Sequence, residues 1–236
     1  IGDGANDVSM IAMADVGVGL SGKEGAQAAR SADFALGQFR FLQRLLFVHG
    51  RESYRRNSTL VSYNFYKNMV LVLPPFLYGP CMAFSGQPFY EQVLYQFYNV
   101  FFTFFPCVCF AVLDRPVQNL AELQWNPWSY VPGREKRFFN FRVFLCWMSA
   151  AVLQGCFLPL AAFTLFSDGS RSSEGPSVDS LWLVGTGIFF WVVLGVNLTL
   201  ARRLSVVLPL TVVAFAGSVS AFPILTLLLD ETGSHF

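Results

Sequence analysis

The chain opens Ile-Gly-Asp-Gly-Ala-Asn-Asp-Val-Ser, so Asp3 and Asp7 bracket Asn6 within a glycine-rich turn. Gly2 and Gly4 let the backbone come close to a ligand while a carboxylate projects. Hard carboxylate oxygens beside an amide suit a Mg²⁺ ion held together with phosphate oxygens. An acidic turn that caps the following helix at Asn6 or Asp7 is the competing reading. A second chemical feature lies inside an apolar stretch, where Asn64, Lys67 and Asn68 stand at i, i+3 and i+4 and share one helical face. Such a donor-rich patch suits an anionic headgroup or a phosphate. In the next apolar stretch Gln96, Asn99 and Thr103 form a comparable stripe. Lys67 lies within about two turns of the start of its stretch, where snorkelling to the headgroups is the competing fate.

The elements that position these residues follow from composition and pattern. Hydrophobic residues make up 54% and charged residues 13% of the 236, and the mean hydropathy is +0.47, the balance of a multi-span membrane protein. The net charge of +1 says little about partners, and without a basic patch with interleaved aromatics nucleic acid is not an expected one. The 26 Phe sit mostly in apolar runs. The five cysteines, all in apolar stretches without paired spacing, are expected as buried free thiols.

Residues before Phe39 read as soluble α/β. The pattern predicts a helix from Asn6 to Ala14, a strand from Val16 to Leu20, a helix from Glu24 to Arg30 and a strand from Ser31 to Leu36. That alternation is the tail of a parallel sheet, with the acidic loop at the carboxyl end of a strand that starts before the chain does. From Phe39 the period becomes helical, with Phe41, Leu45 and Val48 set against Arg40, Arg44, Arg51, Arg55 and Arg56. No proline interrupts it before Pro74, so 39–59 is expected as a stalk helix that enters the bilayer and can transmit rigid-body motion.

Five apolar stretches follow, 60–84, 93–113, 143–166, 181–201 and 204–229, each long enough to cross a hydrocarbon layer of ~30 Å. None contains Asp or Glu, and only the first contains a charge, Lys67. Pro74, Pro75 and Pro106 free backbone groups in mid-span, and broken helices at that depth line pathways. With 1–59 cytosolic, seven basic residues between the spans fall on the cytosolic side (Arg115, Arg134, Lys136, Arg137, Arg142, Arg202, Arg203), against Arg171 alone on the other. The positive-inside rule agrees with that orientation. The sequons at Asn57 and Asn197 then fall in the cytosol and in a span, and neither is expected to carry glycan. Trp125, Trp128 and Tyr130 read either as a headgroup-level belt or as a turn docked on the soluble part.

Gly-Asp-Gly-Ala-Asn-Asp, followed by a small-residue helix and Val16-Gly17-Val18-Gly19, resembles the hinge motif of the P-type ATPases, whose phosphorylation domain has the haloacid-dehalogenase fold. Within that family, Val8-Ser9 and the strings Gln38 to Leu42, Leu45 to Arg51, Phe65 to Asn68, Phe84 to Gln87 and Phe97 to Asn99 resemble the type IV branch, the phospholipid flippases. Phe138 to Phe144 is a looser similarity. The resemblance implies an α-helical multi-span membrane protein preceded by the C-terminal part of a haloacid-dehalogenase-like α/β phosphorylation domain. On that reading 1–38 ends the phosphorylation domain, 39–59 is the stalk and 60–236 is the membrane domain.

The same resemblance implies catalytic and Mg²⁺ roles for Asp3 and Asp7, a phosphoryl or nucleotide contact for Asn6 and Asp7, and ATP as co-substrate. It implies lipid contacts for Asn64, Lys67, Asn68 and Asn99. It further implies a two-span glycoprotein accessory subunit and residence in the plasma membrane or Golgi and endosomal membranes. The acceptor aspartate of the family lies in an upstream Asp-Lys-Thr motif, so the chain is expected to be part of a longer protein, inactive by itself, and to lack a final span. Two other readings stand beside this one. A P-type cation or polyamine pump needs membrane carboxylates, and a non-catalytic remnant acting as a scaffold needs no acceptor aspartate.

Overall fold

The computed structural model describes residues 1–22, 26–81, 83–116, 125–167 and 178–231. The expected helix start at Glu24, the loop around Arg171 and the residues after Glu231 lie outside the described residues. The chain divides into two compact units, Ile1–Tyr54 with Val117–Glu135, and Arg55–Pro116 with Lys136–Phe236.

In the first unit a 3-10 turn, Ala5–Asp7, leads into helix α1, Val8–Met13. Strand β1, Val18–Leu20, helix α2, Gln27–Ser31, and strand β2, Phe34–Leu36, follow in order. The strands pair in parallel, Val18 with Phe34 and Leu20 with Leu36, as a short helical crossover requires. Gly2 bridges Gly19 in parallel on the other side of β1, its N–H donating to the Val18 carbonyl at 3.0 Å. The acidic turn therefore begins where a third parallel chain segment leaves the sheet. The Asp33 carboxylate accepts the Gly17 N–H at 2.8 Å and ties the entry of β1 to that of β2.

Gly19 carries the close approach of β1 and α2. A Cβ there would lie 2.6 Å from the Ala28 carbonyl oxygen and 2.6 Å from the Ala29 Cα, both backbone atoms that cannot swing aside. Gly19→Ala is expected to cost about 1–3 kcal/mol of local stability. In the full-length protein this appears as a lower midpoint of thermal unfolding.

Helix α3, Phe41–Arg44, passes into a π-helical segment, Leu45–Gly50, and then into helix α4, Arg51–Cys81. The stretch expected as a stalk, 39–59, is thus helical from Phe41 onward but not regular α-helix. Within the first unit Tyr130 packs edge-on against Phe47, ring centroids 5.5 Å apart, and Arg51 Nε donates to the Ser129 carbonyl at 2.8 Å. The aromatic turn, Pro127–Tyr130, capped by the Asn126 side chain, leads into α7, Val131–Arg134, and is docked through Tyr130, while Trp125 and Trp128 stay exposed.

The second unit is helical. After α4 come α5, Gln92–Phe97, a π-helical segment, Tyr98–Phe102, and α6, Phe104–Leu113. Helices α8, Phe141–Ser167, α9, Val178–Ala201, and α10, Pro209–Glu231, complete it. Their starts are written locally. The Glu91 carboxylate accepts the Leu94 N–H at 2.7 Å, the Asn140 amide oxygen accepts the Val143 N–H at 2.8 Å, and Thr211 Oγ1 accepts the Leu208 N–H at 3.0 Å.

Four of these helical stretches are long and apolar enough to cross a membrane: Gln92–Leu113, Phe141–Ala162, Trp182–Ala201 and Pro209–Leu229. They correspond to four of the five expected spans. The expected span 60–84 lies in α4, which at 31 residues has the length, but Asn64, Lys67 and Asn68 dilute its apolar character. The described α4 runs through Pro74, Pro75 and Pro80 without interruption, contrary to the expectation of a broken first span. Of the first two stretches, the second is broken, at Thr103.

Aromatic rings pack the core. Phe189 of α9 lies 4.7 Å from Tyr90, 5.8 Å from Tyr98, 6.3 Å from Phe102 and 5.4 Å from Phe222, centroid to centroid. In lipid such contacts hold helices by dispersion and ring geometry, because the surrounding solvent is itself apolar. Burial also pushes the Tyr90 phenol up from its ordinary pKa. Of the described cysteines Cys146 is exposed and Cys107, Cys109 and Cys156 are partly buried free thiols, so the expectation of uniformly buried thiols is corrected.

Candidate functional site

The acidic turn brings Asp3 and Asp7 together. Asp7, at the junction of the 3-10 turn and α1, folds its carboxylate back so that Oδ2 accepts the Asp3 N–H at 3.1 Å. Asp3 and Asn6 are exposed and Asp7 is half-buried. Gly2 makes the fold-back possible, since a Cβ there would sit 2.4 Å from the Asp7 Cβ. One small turn thus carries the exposed carboxylate of Asp3 and the half-buried one of Asp7. That donor set fits a Mg²⁺ ion, which takes one or two protein carboxylates and completes its octahedron with water and phosphate oxygens. Among the described residues no cluster of three or more His, Cys, Asp or Glu side chains offers an all-protein metal cage.

The membrane cluster is built around the break in the second span. Proline lacks an N–H, so Pro106 leaves the Phe102 carbonyl without an intrahelical donor, and Thr103 departs from helical geometry at φ −131°, ψ −15°. Thr103 Oγ1 donates to the Tyr98 carbonyl at 3.0 Å and receives Lys67 Nζ at 3.0 Å. Tyr98 returns the contact, its phenol donating to the Lys67 carbonyl at 2.9 Å. Pro75 acts alike in α4: the Leu71 carbonyl it orphans receives the Tyr90 phenol at 3.3 Å.

Lys67 is 7% exposed and turned inward on Thr103, with no ion pair among the described residues, so it does not snorkel. One hydrogen bond uses one of three ammonium donors. Asn64 and Asn68 are exposed on α4, and Asn99 and Gln96 are exposed on the second span, none hydrogen-bonded to Lys67 among the described residues. The packing surface therefore divides the face that helical spacing groups together: Lys67 and Thr103 inside, the amides outside.

Further polar groups lie where sequence reading found no site. Tyr66 donates to the Gln154 amide oxygen and lies 3.0 Å from Thr199 Oγ1, linking α4, α8 and α9. A cleft of roughly 1070 Å³ opens beside this network, with Arg142, Arg202 and Arg203 at one end and Trp147 and Phe157 on its wall. Cationic groups above an apolar wall can accept an anionic amphiphile. Asp114, at the end of α6, is fully buried: Oδ1 accepts the Ser205 and Val206 N–H groups at 2.7 and 3.2 Å. Arg55 Nη2 stands 2.9 Å from Asp114 Oδ2 and directs its N–H to the Asp114 carbonyl at 3.1 Å. The signal in the sequence was a single Asp at the end of an apolar stretch that otherwise lacks acids.

Apolar helices of spanning length, packed through aromatic rings around a buried lysine, define an integral membrane protein. The comparisons carry this to a family. A family model described as phospholipid-translocating P-type ATPase C-terminal matches residues 29–236, and the chain belongs to that family. It is 42% identical over 193 residues to a phospholipid-transporting ATPase of Schizosaccharomyces pombe, covering 80% of this chain and 15% of that protein. It is 41% identical over 189 residues to the phospholipid-transporting ATPase DRS2 of Saccharomyces cerevisiae, covering 80% of this chain and 14% of the relative. With the human phospholipid-transporting ATPase IG it shares 38% identity over 201 residues, 85% of this chain and 18% of the relative. The chain spans about 15% of the length of the curated relatives it matches.

Proposed function

We propose that this chain is the C-terminal part of a type IV P-type ATPase that uses ATP to move a phospholipid from the exoplasmic or lumenal leaflet to the cytosolic one. The observation that carries the reading is the sign of the buried charge. A cation pump must replace a hydration shell with membrane carboxylates, and no apolar stretch here contains Asp or Glu. Lys67 instead brings a positive, under-bonded ammonium to a broken helix, chemistry suited to an anionic phosphate or headgroup. Family membership and the names of the relatives support the same choice.

On this reading 1–38 closes a haloacid-dehalogenase-like phosphorylation domain, 39–59 is the stalk, and α4 supplies the fifth crossing. Asp3 and Asp7 hold Mg²⁺, and Asn6 contacts the phosphoryl group or nucleotide. The ion, when bound, offsets negative charge on the phosphoryl oxygens. This chain's own part is to hold Asp3 on a turn pinned by Asp7 and to present Lys67 at Thr103. Asn64, Asn68 and Asn99 contribute to lipid contact from the outer face. Residues 1–59 are cytosolic, the membrane is the plasma membrane or a Golgi or endosomal one, and a two-span glycoprotein subunit accompanies the full chain.

The test is lipid-stimulated ATP hydrolysis by the full-length protein, titrated with phosphatidylserine, phosphatidylethanolamine and phosphatidylcholine. Lys67→Ala is expected to raise the apparent KM for the stimulating lipid by roughly tenfold or more, the scale of one charge-assisted hydrogen bond. An unchanged lipid response in Lys67→Ala removes the headgroup role. Stimulation by ions and not by lipids establishes a cation or polyamine pump instead.

A further inference from the structure

The structure assigns a positioning role to Asn197, an inference that rests on the reading of Lys67 as a lipid contact. Asn197 lies in α9, is 1% exposed, and stands in neither polar stripe of the first two spans. Its Nδ2 donates at 2.9 Å to the Phe102 carbonyl, the group that Pro106 leaves without a helical partner. The same amide donates at 2.9 Å to the Val193 carbonyl one turn back on its own helix, so both N–H bonds are used and the side chain is held. Its Oδ1 is buried without a partner among the described residues, so the donor side alone fixes the orientation.

Phe102 directly precedes Thr103, whose hydroxyl receives Lys67. Holding the Phe102 carbonyl therefore holds the break, and the break sets where the ammonium rests. Ser218 reaches the neighbouring Phe101 carbonyl only at 3.4 Å, a weaker hold from α10. Without Asn197 the Phe102 carbonyl is orphaned in a low-dielectric interior, and the segment must shift to satisfy it. Pro106 creates a need that Asn197 meets from a different helix, and the geometry at Lys67 depends on both.

The experiment uses the full-length protein and whichever of phosphatidylserine, phosphatidylethanolamine or phosphatidylcholine stimulates the wild type most. Asn197→Leu, similar in size but without donors, is expected to raise the apparent lipid KM about tenfold, the scale of one buried hydrogen bond, with the maximal rate changed by less than about twofold. Because Asn197 acts through Lys67, the Lys67→Ala/Asn197→Leu double variant is expected to match Lys67→Ala alone. Effects that multiply in the double variant, or a fall in maximal rate at unchanged KM, overturn the inference.

An unchanged KM in Lys67→Ala sinks the lipid reading of Lys67 separately. The positioning role is then decided by a Thr103→Cys variant labelled with a small methanethiosulfonate and read by mass spectrometry. Faster labelling on adding Asn197→Leu supports the role, and equal rates overturn it. Should Asn197→Leu fail to assemble, Pro106→Ala/Asn197→Leu carries the test, since replacing the proline restores a backbone N–H for the Phe102 carbonyl. That variant is expected to assemble with a raised lipid KM because the break is gone, and a normal KM overturns the inference.

Discussion

Asp3→Asn in the full-length protein is expected to reduce ATP turnover by roughly a hundredfold or more at every lipid concentration, the several kcal/mol that a correctly held metal contributes to phosphoryl transfer. Asparagine matches aspartate in shape, and the hydrogen bond that pins the turn comes from the Asp3 backbone N–H to Asp7 Oδ2, so the loop persists. On the proposed metal role, what changes is the charge offered to Mg²⁺. The two carboxylates are the hard oxygen donors of this turn, and losing one leaves a half-neutral site for a divalent ion. Partial recovery of turnover at raised Mg²⁺ is expected, and hydrolysis against Mg²⁺ concentration is the measurement. Full turnover at ordinary Mg²⁺ means that Asp3 only shapes the turn, and the metal assignment falls.

The largest effect on folding is expected at Asp114. Its carboxylate is 0% exposed: Oδ1 accepts the Ser205 and Val206 N–H groups, and Oδ2 stands in an ion pair 2.9 Å from Arg55 Nη2, whose hydrogen bond goes to the Asp114 carbonyl. Arg55 sits near the start of α4, Asp114 closes α6, and Ser205 and Val206 lie in the turn between α9 and α10, so one side chain ties three elements. Arg56 adds a second link, donating to the Ala111 carbonyl at 2.5 Å. Asp114→Ala removes the carboxylate of a buried ion pair and strands two backbone donors, and breaking a buried pair from one side costs about 3–5 kcal/mol.

Asp114→Asn keeps an acceptor for the turn and loses the charge, so it is expected to fall between wild type and alanine. Thermal loss of the monodisperse, detergent-solubilised full-length protein ranks the three. An Asp114→Ala midpoint equal to wild type shows that the clamp contributes nothing.

Much of the fold is legible in the residues because local chemistry writes it. The alternation before Phe39 yields β1 and β2 within about three residues of the expected strands, since small-residue turns and short apolar runs leave few other choices. Four of the apolar stretches become helices of spanning length, because only a helix satisfies the backbone in lipid. The stretch after Phe39 reads as helical, but its π segment, Leu45–Gly50, is not legible in the residues.

The site divides differently. Asp3, Asn6 and Asp7 are close in sequence, and the turn between them is enough to bring the Asp7 carboxylate onto the Asp3 N–H. Lys67 is visible as the sole charge in an apolar stretch, but its partner is not. Spacing at i, i+3 and i+4 defines an arc of a helix and says nothing of where the neighbouring helix ends, so Asn64 and Asn68 remain outside while Lys67 turns in. Pro106 announces an orphaned carbonyl, yet the donor comes from Asn197, 95 positions away from Phe102. Residue order alone was enough for the helices, the acidic turn, the sign of the membrane charge and the resemblance to the flippases. Which polar groups meet was settled only by the packed helices, because those pairings span distances that no local period encodes.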